Sequence, residues 1–354
     1  MAEALRVHLR KLEDHSYDIV FGTKLKDIPK QISKDFPRVK KIVITDSNVN
    51  RIYGKYFRRP EFAILVIPAG EQSKSRATKE KLENALLTLK AGRDSVIIAL
   101  GGGMIGDLAG FVAATYLRGI RFIQIPTSLL AQVDSSIGGK VAVDHPIGKN
   151  LIGAFYQPKK VFIDIATLKT LPDREFRNGM AEVIKYGSIL DVKLFKYLEQ
   201  NRSAILKKNQ NILNKIIRRC CELKAYVVEK DEKETDLRRI LNFGHTIGHA
   251  VESLSKYKLG HGECVAIGMA AEVNISVGLG LISKKEAQRL ISLIKQYDLP
   301  AELPSGMSVS MILNATLLDK KAKQGKVGYT LLKKIGIAKI GVVVSKNQAL
   351  KFLK

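Results

Sequence analysis

The 354-residue sequence contains no tryptophan, and only 6% of its residues are aromatic. Its three cysteines, Cys220, Cys221 and Cys264, fit neither a disulfide framework nor a CxxC metal pair. The longest apolar run, residues 264–271, is far below the roughly 20 residues that span a bilayer. The first six residues lack the basic and then apolar order of a signal peptide. We therefore expect a cytoplasmic protein with buried, reduced thiols and no membrane partner.

Acidic residues are also few, because 34 Asp and Glu stand against 59 Lys and Arg, for a formal net charge of +25. Such an excess raises nucleic-acid binding as an alternative. The basic residues are scattered along the chain, however, without a long basic arm or a recognisable nucleic-acid motif. A surface that attracts small anionic substrates explains the charge better. We therefore expect no nucleic-acid partner.

The pattern of apolar residues changes part-way along the chain. Short β-branched runs separated by helix-length segments lie at 41–46, 62–68, 95–100, 122–126 and 161–164. This alternation is typical of a parallel sheet covered on both faces. Helical segments follow at about 175–230, 238–256, 262–280 and 284–297, and a hairpin at 327–344. The sequence predicts an α/β fold, with an N-terminal Rossmann-like parallel-sheet domain (1–172) and a C-terminal mainly α-helical domain (173–354).

A glycine turn, residues 101–107, follows the strand predicted at 95–100. Between a strand and a helix, bare backbone amides and the helix dipole make a phosphate cradle. A plain tight turn explains the glycines equally well. Two other strand ends fit the same interpretation, Asp46 and the segment 68–74. Either could equally be a solvated turn, and Asp46 could simply cap the next helix.

The segment 124–157 combines glycines with Asp134, Lys140, Lys149 and Asn150. Lysine supplies point charges and asparagine a neutral donor, and both suit a phosphate or carboxylate group. We predict a loop-rich anion site here. A solvated polar loop is the alternative if the segment is considered alone.

Spacings of four, three and four residues relate Arg238, Asn242, His245 and His249, which predicts that all four share one stripe of a helix. Two imidazoles on such a stripe, with His261 shortly after, favour a metal site. The spacing leaves open whether His245 and His249 both bind the metal.

A carboxylate would complete a common ligand set, and Glu182 is available. Glutamate with two histidines leaves positions open for substrate oxygens on an ion such as zinc. Glu182 could instead form an ion pair with Lys185, three residues further along the same helix face.

Together these motifs resemble the 3-dehydroquinate synthase family, in the stretches 101–118, 126–158, 171–187, 231–252 and 261–269. The resemblance covers about residues 40–335 in consistent order. It implies an NAD-binding α/β domain, an α-helical domain and an active site in the cleft between them. It also implies a shikimate-pathway lyase that converts 3-deoxy-D-arabino-heptulosonate 7-phosphate to 3-dehydroquinate and phosphate. The implied steps are transient NAD reduction, phosphate elimination, return of the hydride, ring opening and intramolecular aldol closure.

Carried over residue by residue, the resemblance implies a zinc ion, with cobalt as the alternative, held by Glu182, His245 and His261. It assigns His249 to substrate binding and proton transfer. The residues it implies in catalysis are His249, Lys185, Asp134 and Glu234. Those it implies in substrate binding are Arg118, Asp134, Lys140, Asn150, Lys185, Lys224, Arg238, Asn242, His249, Lys320 and Lys321.

The resemblance further implies a homodimer in which Arg118 reaches the neighbouring subunit's phosphate site. The implied NAD contacts are Asp46, Glu71, Lys74, Gly102, Gly103, Asp107, Thr127, Ser128, Lys140, Lys149, Thr167 and Thr170. Asp144 departs from the family, which commonly has asparagine there. The rival interpretations are another sugar-phosphate cyclase and a metal-dependent glycerol or glycerol-phosphate dehydrogenase, which would form NADH in net amounts.

Overall fold

The structure, a computed structural model, describes residues 14–317, 322–323 and 326–353. Its strands are β1 (Asp18–Phe21), β2 (Lys41–Asp46), β3 (Phe62–Ile67), β4 (Val96–Gly101), β5 (Arg121–Pro126), β6 (Lys140–His145), β7 (Gly148–Phe155), β8 (Lys160–Ile163), β9 (Ala322–Lys323), β10 (Lys326–Lys334) and β11 (Ile337–Val344). Its α-helices are α1 (Ile28–Asp35), α2 (Ser47–Tyr53), α3 (Arg76–Thr88), α4 (Gly103–Thr115), α5 (Asp173–Ile189), α6 (Val192–Leu206), α7 (Gln210–Lys230), α8 (His245–Leu254), α9 (His261–Gly278), α10 (Lys284–Gln296), α11 (Val309–Leu317) and α12 (Lys346–Leu353).

Six parallel strands form the central sheet in the order β1-β8-β5-β4-β2-β3. Strands β2 and β4 are buried along their whole length, as expected for central strands covered on both faces. All five strands predicted from the apolar runs are present. The strand order reverses between β2 and β4, so a crevice opens where these strands end, at Asp46 and Gly101.

The segment 124–157 is more regular than predicted. It contains a π-helical turn at Ala131–Ser135 and the antiparallel hairpin β6–β7. Val141 and Val143 of β6 belong to the apolar cluster under α4, whereas Leu151 and Phe155 of β7 are exposed. The prediction of a loop-rich segment is therefore wrong. The hairpin buries only one face of its two strands, so polar residues and glycines dominate its sequence and hide the strand pattern.

The helical region predicted at 175–230 consists of three helices, α5, α6 and α7. The first break lies between α5 and α6. Asp191 caps the start of α6, since its carboxylate accepts hydrogen bonds from the amides of Lys193 and Leu194. Asn209 caps α7 in the same way. Both are residue types that commonly begin helices.

The prediction of one helix over 238–256 is also wrong. A 3₁₀ helix covers Leu237–Asn242, and α8 begins only at His245. Gly244 separates them with φ = 80°, and a Cβ there would lie 2.8 Å from the carbonyl oxygen of Val265. Glycine is therefore required by both backbone conformation and close packing. Arg238 and Asn242 do not share a helical stripe with His245.

Strands β10 and β11 form the predicted C-terminal hairpin. It packs with α8, α9, α11 and α12 in one apolar cluster. The largest cluster contains Leu129 and Val161 from the first half and Phe176 and Val265 from the second. Since this core crosses position 172, the division into domains at 172/173 stays a prediction. Among the described residues, no helix is both long enough and apolar enough to cross a membrane.

The three cysteines are free and buried, Cys220 and Cys221 in α7 and Cys264 in α9. Burial raises the pKa of Cys220 well above its ordinary value. It also raises the pKa of Cys221 and of Cys264 to about 12. The expectation of buried thiols is met.

Candidate active site

Three potential metal ligands meet where α5, α8 and α9 approach each other. Glu182 lies within α5, while His245 and His261 are the first residues of α8 and α9. Nε2 of His245 is 3.4 Å and Nε2 of His261 is 3.5 Å from Oε1 of Glu182. One ligand atom from each residue lies within 4.8 Å of the others. We call these residues, with His249, the histidine cluster.

The Glu182 carboxylate is fully buried, and neither oxygen accepts a well-formed hydrogen bond among the described residues. Lys185 makes an ion pair with Oε2, while Oε1 faces the imidazoles of His245 and His261. A buried carboxylate is costly unless a charge or donor compensates it. One carboxylate and two imidazoles form a common ligand set for zinc. The donor set therefore fits a divalent cation.

His245 is held in its neutral form. Burial lowers its pKa well below the ordinary value, and the charge of Lys185 lowers it further. Its Nδ1 lies 3.2 Å from the carbonyl oxygen of Phe243, which fits donation of the Nδ1 proton to that oxygen. Such a bond fixes the tautomer and directs the Nε2 lone pair toward Glu182.

His249 is exposed, one helical turn after His245, with its ring centroid 5.3 Å from that of His245 and 6.2 Å from that of His261. A second group that could hold a metal contains His249, Glu252 and His261, again with ligand atoms within 4.8 Å of each other. The choice of His245 rather than His249 as a ligand therefore stays a prediction.

Glu252 is a site residue that sequence reasoning missed. Its Oε1 is 2.8 Å from Nζ of Lys149, and its Oε2 is 3.8 Å from Nδ1 of His261. Burial alone would raise its pKa, but His261 and Lys149 lower the pKa to about 2. Glu252 therefore carries a negative charge beside a candidate ligand. Its position could have been predicted from the sequence, because Glu252 follows His249 by three residues and therefore lies on the same face of α8.

Asp134 lies in the π-helical turn and is the centre of a second group. Its Oδ1 accepts hydrogen bonds from Nζ of Lys224 at 2.6 Å and from the hydroxyl of Tyr186 at 2.7 Å. Burial would raise the pKa of Asp134, yet Lys224 and Lys185 hold it well below its usual range. Lys185 thus connects Asp134 electrostatically to Glu182. Tyr186 was missed because nothing in its local sequence marks its contact with a turn 52 residues away.

A loop after α7 carries Glu234 to the hairpin. Asp231 organises this loop by accepting hydrogen bonds from the amides of Thr235, Asp236 and Arg238. Although burial would raise the pKa of Asp231, these bonds lower it to about 2.

Glu234 lies in the left-handed region with φ = 59°. It makes an ion pair with Lys140 and accepts a hydrogen bond from Asn242 at 2.7 Å. Arg238 is buried and donates to the carbonyl oxygen of Gly138 at 3.0 Å. The sequence-predicted substrate residues of the loop and the hairpin are thus in direct contact.

A third group, which we call the strand-end cluster, contains Glu71, Lys74, Asp107, Lys149 and Asn150. Nζ of Lys74 is 2.5 Å from both Asp107 and Asn150 and 3.9 Å from Glu71. Lys149 in turn lies 3.8 Å from Glu71. Burial raises the pKa of Glu71 and of Asp107 despite these lysines. Positive and negative charges alternate through this cluster.

Asp144, the residue that departs from the family pattern, lies beside this cluster. Its carboxylate accepts the backbone amide of Asn150 at 3.0 Å, and its own amide donates to the carbonyl oxygen of Lys74 at 2.8 Å. It therefore closes the turn of the hairpin, where Asn150 has φ = 56°.

The glycine turn follows β4, and α4 begins at Gly103. A Cβ on Gly102 would lie 3.4 Å from Oγ of Ser128, and one on Gly103 would lie 2.9 Å from Oγ of Ser135. Thr127 follows the neighbouring strand, and its amide donates to the carbonyl oxygen of Gly101. The turn thus packs closely against Ser128 and Ser135 at the carboxyl edge of the sheet.

Asp46 caps α2, because its Oδ1 accepts the amides of Asn48 and Val49. The helix-cap alternative is therefore correct for this oxygen. Thr167 and Thr170 lie in the 3₁₀ helix after β8, both within hydrogen-bond distance of the Tyr53 hydroxyl.

Two groups of predicted site residues are not with the others. Arg118 is exposed at the far end of α4 from the glycine turn and has φ = 67°. A helix of that length separates its ends by roughly 20 Å. Lys320 and Lys321 lie outside the described residues.

Known families match this arrangement. A model of the 3-dehydroquinate synthase N-terminal region matches residues 64–178, and a model of the 3-dehydroquinate synthase C-terminal region matches residues 179–322. The chain belongs to the 3-dehydroquinate synthase family. A 3-dehydroquinate synthase from Caldanaerobacter subterraneus subsp. tengcongensis is 49% identical over 353 residues, which cover 97% of this chain and 98% of the relative. The family predicted from the sequence motifs is confirmed.

Solved structures of two other cyclases share the fold of this family member. A 2-epi-5-epi-valiolone synthase from Streptomyces hygroscopicus subsp. jinggangensis, with NAD+ and Zn2+ bound, is 26% identical, covers 98% of both chains and has a TM-score of 0.90. A 2-deoxy-scyllo-inosose synthase, complexed with carbaglucose-6-phosphate, NAD+ and Co2+, is 29% identical and covers 95% of this chain and 96% of its own, with a TM-score of 0.85. The predicted α/β fold class is confirmed.

Proposed function

We propose that the chain converts 3-deoxy-D-arabino-heptulosonate 7-phosphate to 3-dehydroquinate and phosphate, with NAD and a divalent metal, zinc or cobalt, as cofactors. The observation that carries this proposal is the histidine cluster beside the buried cations around Asp134, in a chain 49% identical to a 3-dehydroquinate synthase. The other cyclases are only 26% and 29% identical, which favours the dehydroquinate product over theirs.

Glu182, His245 and His261, whose ligand atoms are already close together, would hold the metal. Bound there, the metal would supply Lewis acidity toward a substrate oxygen, and NAD would supply reversible hydride transfer. Lys185 holds the Glu182 carboxylate from the side opposite the two imidazoles. The carboxylate is therefore fixed before the metal arrives.

The anionic groups of the substrate are bound by the cations around Asp134. Lys185, Lys224 and Arg238 are all buried, and Asp134 supplies one negative charge among them. This local excess of positive charge suits a carboxylate and a phosphate. Lys140, Asn150 and Asn242 add donors for hydroxyl groups, and Lys320 and Lys321 belong to the same assignment from the sequence.

Proton transfer is assigned to His249, with Glu234 as a further acid–base group. His249 is exposed, and its ring centroid lies 5.3 Å from that of the proposed ligand His245, close enough to act on a substrate bound at the metal. Asp134 and Lys185 position the reacting sugar acid. Because Lys185, Lys224 and Arg238 hold its carboxylate throughout, the ring-opened intermediate keeps its enol close to its carbonyl, which gives the proximity that aldol closure requires.

The dinucleotide is bound along the carboxyl edge of the sheet, at the reversal between β2 and β4. The glycine turn offers backbone amides at the start of α4 for its pyrophosphate. The proposed contacts are Asp46, Glu71, Lys74, Gly102, Gly103, Asp107, Thr127, Ser128, Lys140, Lys149, Thr167 and Thr170.

The proposed homodimer uses the surface around Arg118. Among the described residues Arg118 makes no ion pair, and the neighbouring Leu117 is an exposed apolar residue. Gly119 packs against Tyr156, which brings the end of β7 next to Arg118. These features support the proposal that Arg118 serves the partner's phosphate site. The cytoplasmic location also stays a prediction from the sequence.

The reaction is tested with the heptulosonate phosphate and a small amount of NAD, by measuring released phosphate and absorbance of NADH. We expect many phosphates per NAD and no net NADH, because the hydride is returned. Removal of metal with a strong chelator should stop phosphate release, and zinc or cobalt should restore it. Net NADH formation would favour the dehydrogenase interpretation, and full activity of a verified metal-free sample would exclude the metal assignment.

The dimer is tested by mixing Arg118→Ala chains with His249→Ala chains. If Arg118 acts across the interface, mixed dimers contain one intact site and regain part of the activity that either variant lacks alone. Absence of any regain in verified mixed dimers would place Arg118 in its own subunit's site or outside the site.

A further inference from the structure

Both histidines of the proposed ligand set are the first residues of helices, α8 and α9. The start of a helix carries a partial positive charge from its unpaired amides. Two such helix starts beside a divalent cation repel it. A stable metal site at this position therefore benefits from negative charge beyond that of Glu182.

Glu272 supplies a negative charge at one of these helix starts. It lies in α9, and its side chain is fully buried. Its Oε2 accepts a hydrogen bond from the amide of Gly244 at 2.6 Å, and its Oε1 accepts one from the amide of Ile247 at 3.1 Å. No side chain caps α8 from within its own sequence, since Gly244 occupies the cap position. A carboxylate of the helix that begins with His261 thus caps the helix that begins with His245.

The two helices are in backbone contact at this point. A Cβ on Gly268 would lie 1.8 Å from the carbonyl oxygen of Gly244, and one on Gly248 would lie 2.8 Å from that of Cys264. The separation of the His245 and His261 rings, 5.4 Å between centroids, depends on how α8 and α9 are held together.

We propose that Glu272 is a positioning residue for the metal site. It holds the first turn of α8, and with it His245, in place relative to His261, and its charge offsets the positive helix starts that face the cation. This inference rests on the proposed ligand set of Glu182, His245 and His261.

The chain offers a matched control for ordinary helix capping. Asp191 is also buried and also accepts two backbone amides, from Lys193 and Leu194 at 2.9 and 3.1 Å, but it caps α6, which carries none of the proposed site residues. A purely structural role for Glu272 predicts the same behaviour for both carboxylates.

The test compares Glu272→Gln with Asp191→Asn in the full-length chain. Zinc affinity is measured by competition with a chelator of known affinity, and stability by thermal unfolding of the zinc-free forms. Both variants should unfold at lower temperature, but only Glu272→Gln should bind zinc more weakly, by about 10- to 100-fold. Wild-type zinc affinity in Glu272→Gln, or an equal loss in both variants, would overturn the inference.

If Glu272→Gln does not fold, amide hydrogen exchange in the wild-type chain decides. The amides of Gly244 and Ile247 should be protected without zinc at least as strongly as those of Lys193 and Leu194. Free exchange of Gly244 and Ile247 would show that Glu272 does not hold the start of α8.

His261→Ala separates this inference from the proposed function. If this variant keeps wild-type zinc affinity, the ligand set is wrong and the inference falls with it. If it loses zinc while Glu272→Gln keeps it, the positioning role alone is wrong.

Discussion

The strand-end cluster and the histidine cluster use charge in opposite ways. In the strand-end cluster, Lys74 lies between Asp107 and Glu71, and Lys149 extends the alternation, so opposite charges compensate each other within the protein. In the histidine cluster, Glu182 is fully buried and neither oxygen accepts a well-formed hydrogen bond from a described residue; Lys185 pairs with Oε2, and Oε1 faces two imidazoles. A balanced cluster suits a large polar ligand bound by many weak contacts. An under-compensated carboxylate suits a cation. The difference shows how two clusters of one protein can suit two different cofactors, a dinucleotide and a metal ion.

The largest effect is expected where the histidine cluster loses a ligand. His261→Ala should lose its zinc and nearly all turnover, because an open site with two protein ligands loses much of its binding energy. His249→Ala should retain close to one zinc per chain and lose about 10²- to 10⁴-fold in turnover, as expected for loss of a proton-transfer group.

Metal analysis and phosphate release on the two purified variants decide between these roles. If His249→Ala is folded and metal-free while His261→Ala keeps zinc, the assignment of ligands is wrong. The contrast between the strand-end cluster and the histidine cluster would still hold, since His249 and His261 both belong to the histidine cluster.

An intermediate effect is expected when the strand-end cluster loses its central cation. Lys74→Met leaves the carboxylate of Asp107 without its partner, and breaking a buried pair in this way costs about 3 kcal/mol of unfolding free energy. NAD affinity should fall as well, whereas zinc affinity should not change. Urea unfolding and binding titrations measure these quantities.

Lys295→Met provides the control, because Lys295 pairs with Glu302 on the surface. Exposed pairs of this kind contribute little to stability. A loss of zinc in Lys74→Met would mean that the two clusters are not independent.

The smallest effect is expected at the loop that carries Glu234. The pKa of Asp231 is lowered to about 2 from the ordinary value of 3.8, so its carboxylate stabilises the folded state fully above about pH 4. That contribution is lost as the pH falls through 2. The difference in urea midpoint between the wild type and Asp231→Asn should therefore be present at pH 7 and shrink between pH 4 and pH 2.

Asp27→Asn serves as the matched control, since Asp27 is exposed at the start of α1 and its side chain makes no capping bond. It should change the urea midpoint little at any pH. A difference for Asp231→Asn that is independent of pH would argue against the role assigned to its charge.

The fold could be predicted from the sequence where an element is marked by an unbroken run of apolar residues. The central strands β2 and β4 are buried along their length because both faces of the sheet are covered, and the apolar runs within them were easily recognised. The helix boundary at Gly244 was missed, because the left-handed backbone there follows from close packing against Val265 in another helix. Family motifs supplied site residues that spacing alone left open.

Other parts of the site are products of tertiary contact. Tyr186 and Lys224 meet Asp134 across 52 and 90 residues of sequence, and Glu272 reaches Gly244 across 28. Neither periodicity nor residue type predicts such pairs. Composition indicated an excess of cations at the surface, but not that Lys185, Lys224 and Arg238 are buried around a single carboxylate.

The three buried thiols allow local unfolding of the helices that carry them to be measured. With pKa values raised by burial, Cys220, Cys221 and Cys264 stay protonated and shielded, so a thiol-directed reagent modifies them only when the surrounding helix opens. Cys264 follows His261 by three residues in α9, whereas the other two lie in α7 beside the Asp134 turn. The rate at which Cys264 is modified therefore reports the opening of α9, and the rates at Cys220 and Cys221 report the opening of α7, without any introduced label.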